Sequence, residues 1–169
     1  MKAAPPVETS DIRLSTFVRA RPEQVYRCLT SARELCVWWL DRAETEARNM
    51  GRFRMVWPSK GGGRDVEAAG VFVDLEPGAK AAWIWDKPSR PRGVPALITF
   101  HIESRPRGSQ VTVVHAGFSA AGPGEKLLRR YRESWEDCLA KLRLYLETGK
   151  TRKAERLKLA DVDALRRRR

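Results

Sequence analysis

His115 is the residue of this chain best suited to chemistry in an apolar setting, because of the residues that alternate around it. If Pro106 faces Ser109 across the Pro106-Arg107-Gly108-Ser109 turn, Phe100 faces His115 and Ile102 faces Val113. Cross-strand partners share a face of the sheet. One face then carries Ile98, Phe100, Ile102, Val111, Val113 and His115, and the other carries Thr99, His101, Glu103, Thr112 and Val114. A one-residue slip would mix the two sets, so the pattern supports this pairing. An imidazole on an apolar wall can orient a ligand, or it can be a hydrogen-bonded core group. The residues leave both roles open.

Other chemistries lack their residues. His101 points to the opposite face from His115, and Cys28, Cys36 and Cys138 have no ligand spacing, so no metal and no cofactor are expected. No G-x-S-x-G elbow occurs. Gly61-Gly62-Gly63 does not make G-x-G-x-x-G and opens no helix, which argues against a phosphate cradle. No acid is forced onto an apolar face beside a second acid, so general acid–base catalysis has no visible pair and no catalytic residue is assigned.

The aromatic residues are more informative. Trp38-Trp39 closes a helical segment, Gly51-Arg52-Phe53 opens a run of strands, and Trp83 and Trp85 alternate on a middle strand. A Pro77-Gly78 turn, suited to type II geometry, sets Phe72 opposite Trp83 and Gly70 opposite Trp85. Trp57, Phe72, Trp83, Trp85 and Phe100 thereby share an interior, with Trp135 approaching from a helix and His115 as the polar group. These rings either fill a core or line a cavity for a small apolar or aromatic ligand.

The elements that position them follow from periodicity. Ile12, Leu14, Thr16 and Val18 alternate with polar residues as a half-buried strand. Two short helices follow, one begun at Arg21-Pro22-Glu23 and one capped by Thr30 or Ser31, with Glu34 placed for a capping box. Strands then run to His115-Ala116-Gly117-Phe118. From Glu125 the period becomes helical: Leu128, Tyr131, Trp135, Cys138, Leu142 and Tyr145 form one stripe, with Arg129, Arg130, Arg132, Glu133, Glu136 and Lys141 on the remaining faces. Gly149 marks the stop. The expected class is α+β, a curved antiparallel sheet wrapped around the long C-terminal helix.

The order of these motifs resembles the START-like (SRPBCC, helix-grip) superfamily over residues 10–149. Within it the chain is similar to the bacterial branch resembling the activator of the 90-kDa heat-shock protein ATPase. Arg52 and Ser134 stand where relatives often carry glycine. The resemblance implies a cavity between sheet and helix and names no ligand; with an aromatic interior and no catalytic pair, non-catalytic binding of a small hydrophobic or aromatic ligand is the leading expectation. The resemblance also implies two alternatives: a protein-interaction module of the chaperone-activator kind, with a role in stress response, or a small polyketide-cyclase-like enzyme.

The 169 residues suffice for one domain that buries about 70% of its unfolded surface. Residues 1–9 read as a flexible N-terminus, 10–149 as the domain and 150–169 as a basic tail able to form a further short helix through Leu157, Leu159, Val162 and Leu165. The net charge is +12, of which the tail holds half, with nine basic and three acidic residues. Without a nucleic-acid motif the tail reads as a solvated end that can be removed without harm to the fold, and nucleic acid is set aside as a partner. No apolar run approaches the ~20 residues of a membrane span. Met1–Ser10 lacks the apolar core of a signal peptide, and three unpatterned cysteines suit reduced thiols, so a cytoplasmic location is expected. A monomer and a dimer fit the sequence equally.

Overall fold

The computed structural model describes residues 3–4, 6, 8–58 and 65–167. The Gly61-Gly62-Gly63 loop lies outside the described residues. The first alternating run forms β1 (Thr9–Val18), with Ile12, Thr16 and Val18 buried. Pro22 occupies the first turn of α1 (Pro22–Thr30), and the Gln24 side chain accepts from the Arg21 N–H. The Ser31 hydroxyl accepts from the Glu34 N–H at the start of α2 (Ala32–Trp38). The Glu34 carboxylate instead accepts a hydrogen bond from the Tyr145 hydroxyl at 3.0 Å.

The strands are β2 (Arg42–Thr45), β3 (Arg52–Trp57), β4 (Val66–Glu76), β5 (Lys80–Trp85), β6 (Leu97–Arg105) and β7 (Gly108–Ser119). With β1 they form one seven-stranded antiparallel sheet of order β1-β7-β6-β5-β4-β3-β2. The long helix α3 (Pro123–Thr148) packs on β1 and β7 and ends at Gly149, whose φ of 73° is the left-handed cap. The expected α+β architecture of a curved sheet gripping a C-terminal helix is the one observed. No helix of the described residues is long and apolar enough to cross a membrane.

Two hairpins differ in detail from the sequence expectation. In β6–β7, Phe100 pairs with Val113, Ile102 with Val111 and Ile98 with His115, a shift of two residues from the expected pairing. The turn is centred on Pro106 and Arg107, with Arg107 at φ 68°. Side chains alternate with period two, so a two-residue shift leaves every side chain on its expected face. In β4–β5 the expected pairs, Gly70 with Trp85 and Phe72 with Trp83, are present. They arise from two compensating irregularities. Glu76 pairs with Lys80 across a three-residue loop, and a bulge between Phe72 and Asp74 restores the register. Gly70 is needed there, because a Cβ would strike the Ile84 carbonyl and the Phe53 ring.

The segment after Gly149 is docked. Its helix α4 (Leu159–Arg167) lies on α3, where Leu157 and Val162 bury against Ala140 and Leu144. The Leu157 N–H donates to Asp137 at 2.7 Å, and Arg143 pairs with Asp163. Lys141, expected on an open face of α3, is only 4% exposed and pairs with Asp137 at 2.8 Å. The reason is this docking, which covers a side of the helix that its own periodicity leaves polar.

Candidate functional site

Alternation aims each strand's large rings at α3. On β3, Phe53 and Met55 are buried, Trp57 is half-buried, and Arg52 and Arg54 face outward to Asp86 and Glu67. On β5, Trp83 and Trp85 point inward and Ile84 outward. Trp135 enters from α3 and sits among Trp39, Trp83 and Phe100, with ring centroids 6.2, 6.3 and 5.7 Å away. Trp39, just past α2, stacks on Trp38 and takes Trp57 edge-on. Aromatic pairs at such separations stabilise beyond simple burial.

These walls do not close. Between α3 and the strands β3 to β6 lies a cavity of about 590 Å³. Five of the six tryptophans line it: Trp39, Trp57, Trp83, Trp85 and Trp135. Met55, Ala68 and Ile98 complete the apolar surface. The indole N–H of Trp85 donates to Ser89 at 3.1 Å. Those of Trp39, Trp57 and Trp83 meet no acceptor among the described residues and are not sealed off, which leaves three lining residues with an unclaimed donor. The charged residues of its mouth come from two elements: Arg130, Glu133, Asp137 and Lys141 from α3, and Lys153 and Arg156 from the segment after Gly149. Such a site suits binding by aromatic contact with a few hydrogen bonds.

Of the residues named from sequence, Trp57, Trp83, Trp85 and Trp135 are on the cavity wall. Phe72, Phe100 and His115 are not. Each is fully buried behind that wall. His115 is a committed core group. Its Nε2 donates to the Pro95 carbonyl at 2.7 Å, and its Nδ1 accepts from the Trp135 indole at 3.0 Å. Burial pushes its pKa down from 6.5 to about 4, against the opposing effect of the Pro95 bond, so the ring is neutral at pH 7. It offers the cavity no polar atom. Trp39 is the lining tryptophan that sequence reasoning left off the site, although the Trp38-Trp39 pair was its signal. The charged residues of the mouth carry no periodic signal at all.

The Cys28 and Cys138 thiols are not reactive centres: burial pushes Cys28 up to about 12 and Cys138 well above its ordinary value. Among the described residues no three His, Cys, Asp or Glu side chains gather as a metal site.

The model of the family described as "Activator of Hsp90 ATPase homolog 1-like protein" matches residues 19–147. Solved structures share the fold. The Aha1 dimer of Colwellia psychrerythraea is 21% identical with a TM-score of 0.67, over 83% of this chain and 98% of that one. A Staphylococcus saprophyticus protein is 19% identical with a TM-score of 0.69, over 86% of this chain and 98% of its own. A Chromobacterium violaceum protein is 24% identical with a TM-score of 0.63, over 81% of this chain and 96% of its own. Among curated proteins none matches. The chain belongs to the family of activator of Hsp90 ATPase homolog 1-like proteins.

Proposed function

We propose that this member of the family binds a small apolar or aromatic ligand, without transforming it, in the cavity between the sheet and α3. The observation that carries this is the gathering of five of the six tryptophans on one space of about 590 Å³. That volume falls in the range of small-molecule sites, about 300–1,000 Å³. A non-catalytic role fits the acids of the mouth, which hold structure. Asp137 holds both Lys141 and the Leu157 N–H, and Glu133 lies 3.7 Å from Arg156. Three free cysteines, two of them buried, accord with action in the cytoplasm.

Native mass spectrometry of the protein purified without denaturation tests this. The expected result is a co-purifying small molecule, released on unfolding, whose loss accompanies Trp83→Ala. A ligand-free mass, with no melting shift across a screen of aromatic compounds, would overturn it.

A second reading is a surface that engages a protein partner, as the family's description suggests. It is favoured by Ile84 and Leu97, cross-strand neighbours on the outer face that stay 39% and 50% exposed. Stimulation of an Hsp90-type ATPase that is lost in Ile84→Ser/Leu97→Ser and kept in Trp83→Ala would select it.

A further inference from the structure

We infer that the ligand carries an acidic group, held at the cavity mouth by Arg130 and Lys153, while the tryptophan walls take its apolar or aromatic body. This rests on the reading of the cavity as a ligand site. The charge balance of the mouth carries it. Four cationic residues and two carboxylates are among the residues that line the cavity. Lys141 is matched by Asp137 at 2.8 Å and Arg156 by Glu133 at 3.7 Å. Arg130 and Lys153 have no acid partner among the described residues, so the mouth keeps two uncompensated positive charges.

Lys153 is also held in place. Its ammonium donates to the carbonyls of Cys36 and Leu40 at 2.9 and 2.8 Å. An ammonium has three donors, so one N–H remains for a ligand oxygen. A fixed charge beside low-dielectric walls attracts an anion more strongly than a mobile, solvated one. The indole N–H groups of Trp39, Trp57 and Trp83, which meet no acceptor among the described residues, are donors as well. The groups left without a partner are therefore donors and cations, which complement acceptor oxygens. Lys153 lies beyond residue 147, where the family match ends. The C-terminal segment thus adds part of the anchor to a cavity built by the shared fold. The competing account makes Lys153 only a cap for the end of α2, and Arg130 only a solvated charge.

Calorimetric titration of the full-length protein with 2-naphthoic acid and with 2-naphthamide at pH 7.5 separates these. The two probes share one ring system and differ in charge. The acid is expected to bind about tenfold tighter than the amide, with the advantage shrinking as salt rises. Arg130→Gln/Lys153→Gln should abolish the advantage and leave the amide's affinity within about twofold, which also reports an intact cavity. Arg130→Gln alone alters an exposed side chain and should remove about half the advantage on a logarithmic scale. Equal binding of the two probes would overturn the acidic-group inference and leave the cavity reading standing. An acid preference that survives the double variant would overturn the assignment to Arg130 and Lys153. If neither probe binds, the cavity reading falls and this inference falls with it.

Discussion

The indole N–H of Trp135 on α3 donates to Nδ1 of His115 on β7 across 3.0 Å. That bond fixes the imidazole tautomer. Nδ1 is the acceptor, so Nε2 carries the proton and donates a hydrogen bond to the Pro95 carbonyl at 2.7 Å. The helix and the sheet that enclose the cavity are thereby joined by a polar contact behind its aromatic wall.

The contact has a pH signature. The folded pKa of His115 lies at about 4, below the ordinary 6.5, so the unfolded chain takes up this proton first as pH falls. The stabilisation is full above about pH 6.5 and is lost as pH falls toward about 4. Between pH 7 and pH 5 the loss from this group is about 2 kcal/mol. Urea unfolding at both pH values should show that loss in the native sequence and lack it in His115→Leu. An equal slope in the two proteins would mean that the ring is not held neutral in the core.

Trp135 should be costly to alter in two separable ways. Trp135→Ala removes a buried indole that packs on Trp83 and Phe100 and should cost about 3–5 kcal/mol. Trp135→Phe keeps much of the packing but leaves Nδ1 of buried His115 without its donor, at a cost of about 1–3 kcal/mol. Denaturant unfolding reads both. A change below about 1 kcal/mol for Trp135→Ala would place the ring outside the core.

Truncation after Gly149 should destabilise the domain. It removes buried Leu157 and Val162, exposes Ala140 and Leu144, and takes partners from Asp137 and Arg143. The apolar part alone is worth about 3–5 kcal/mol at the usual value of a buried aliphatic side chain. A truncated protein that melts at the temperature of the full chain would show that the docked segment adds no stability.

Much of the fold was legible because it is periodic. The faces of β6 and β7 follow from alternation alone, and they survive a turn that lies one residue from the expected place and shifts the pairing by two. The Gly70–Trp85 neighbourhood was legible too, as a glycine opposite an indole. Depth within a face was not. Phe72, Phe100 and His115 share the inward face with Trp83, yet they lie behind the cavity wall, because depth depends on where α3 crosses each strand. The docking of the segment after Gly149 was also hidden. It depends on Leu157 and Val162 meeting a side of α3 whose Asp137, Lys141 and Arg143 look solvated in one dimension. Lys153 could not be told from any other tail lysine until its two carbonyl partners were placed.

The indole N–H resonances of ¹⁵N-labelled protein, titrated with 2-naphthamide, test the ligand cavity most directly. Trp39, Trp57, Trp83, Trp85 and Trp135 line the space, whereas Trp38 lies outside it with its N–H on the Cys28 carbonyl at 3.0 Å. The expected result is saturable shifts at the five lining indoles, largest at Trp39, Trp57 and Trp83, whose donors are unclaimed among the described residues, and smallest at Trp38. No saturable shift at any lining indole, or a shift at Trp38 as large as theirs, would contradict a ligand site in this cavity.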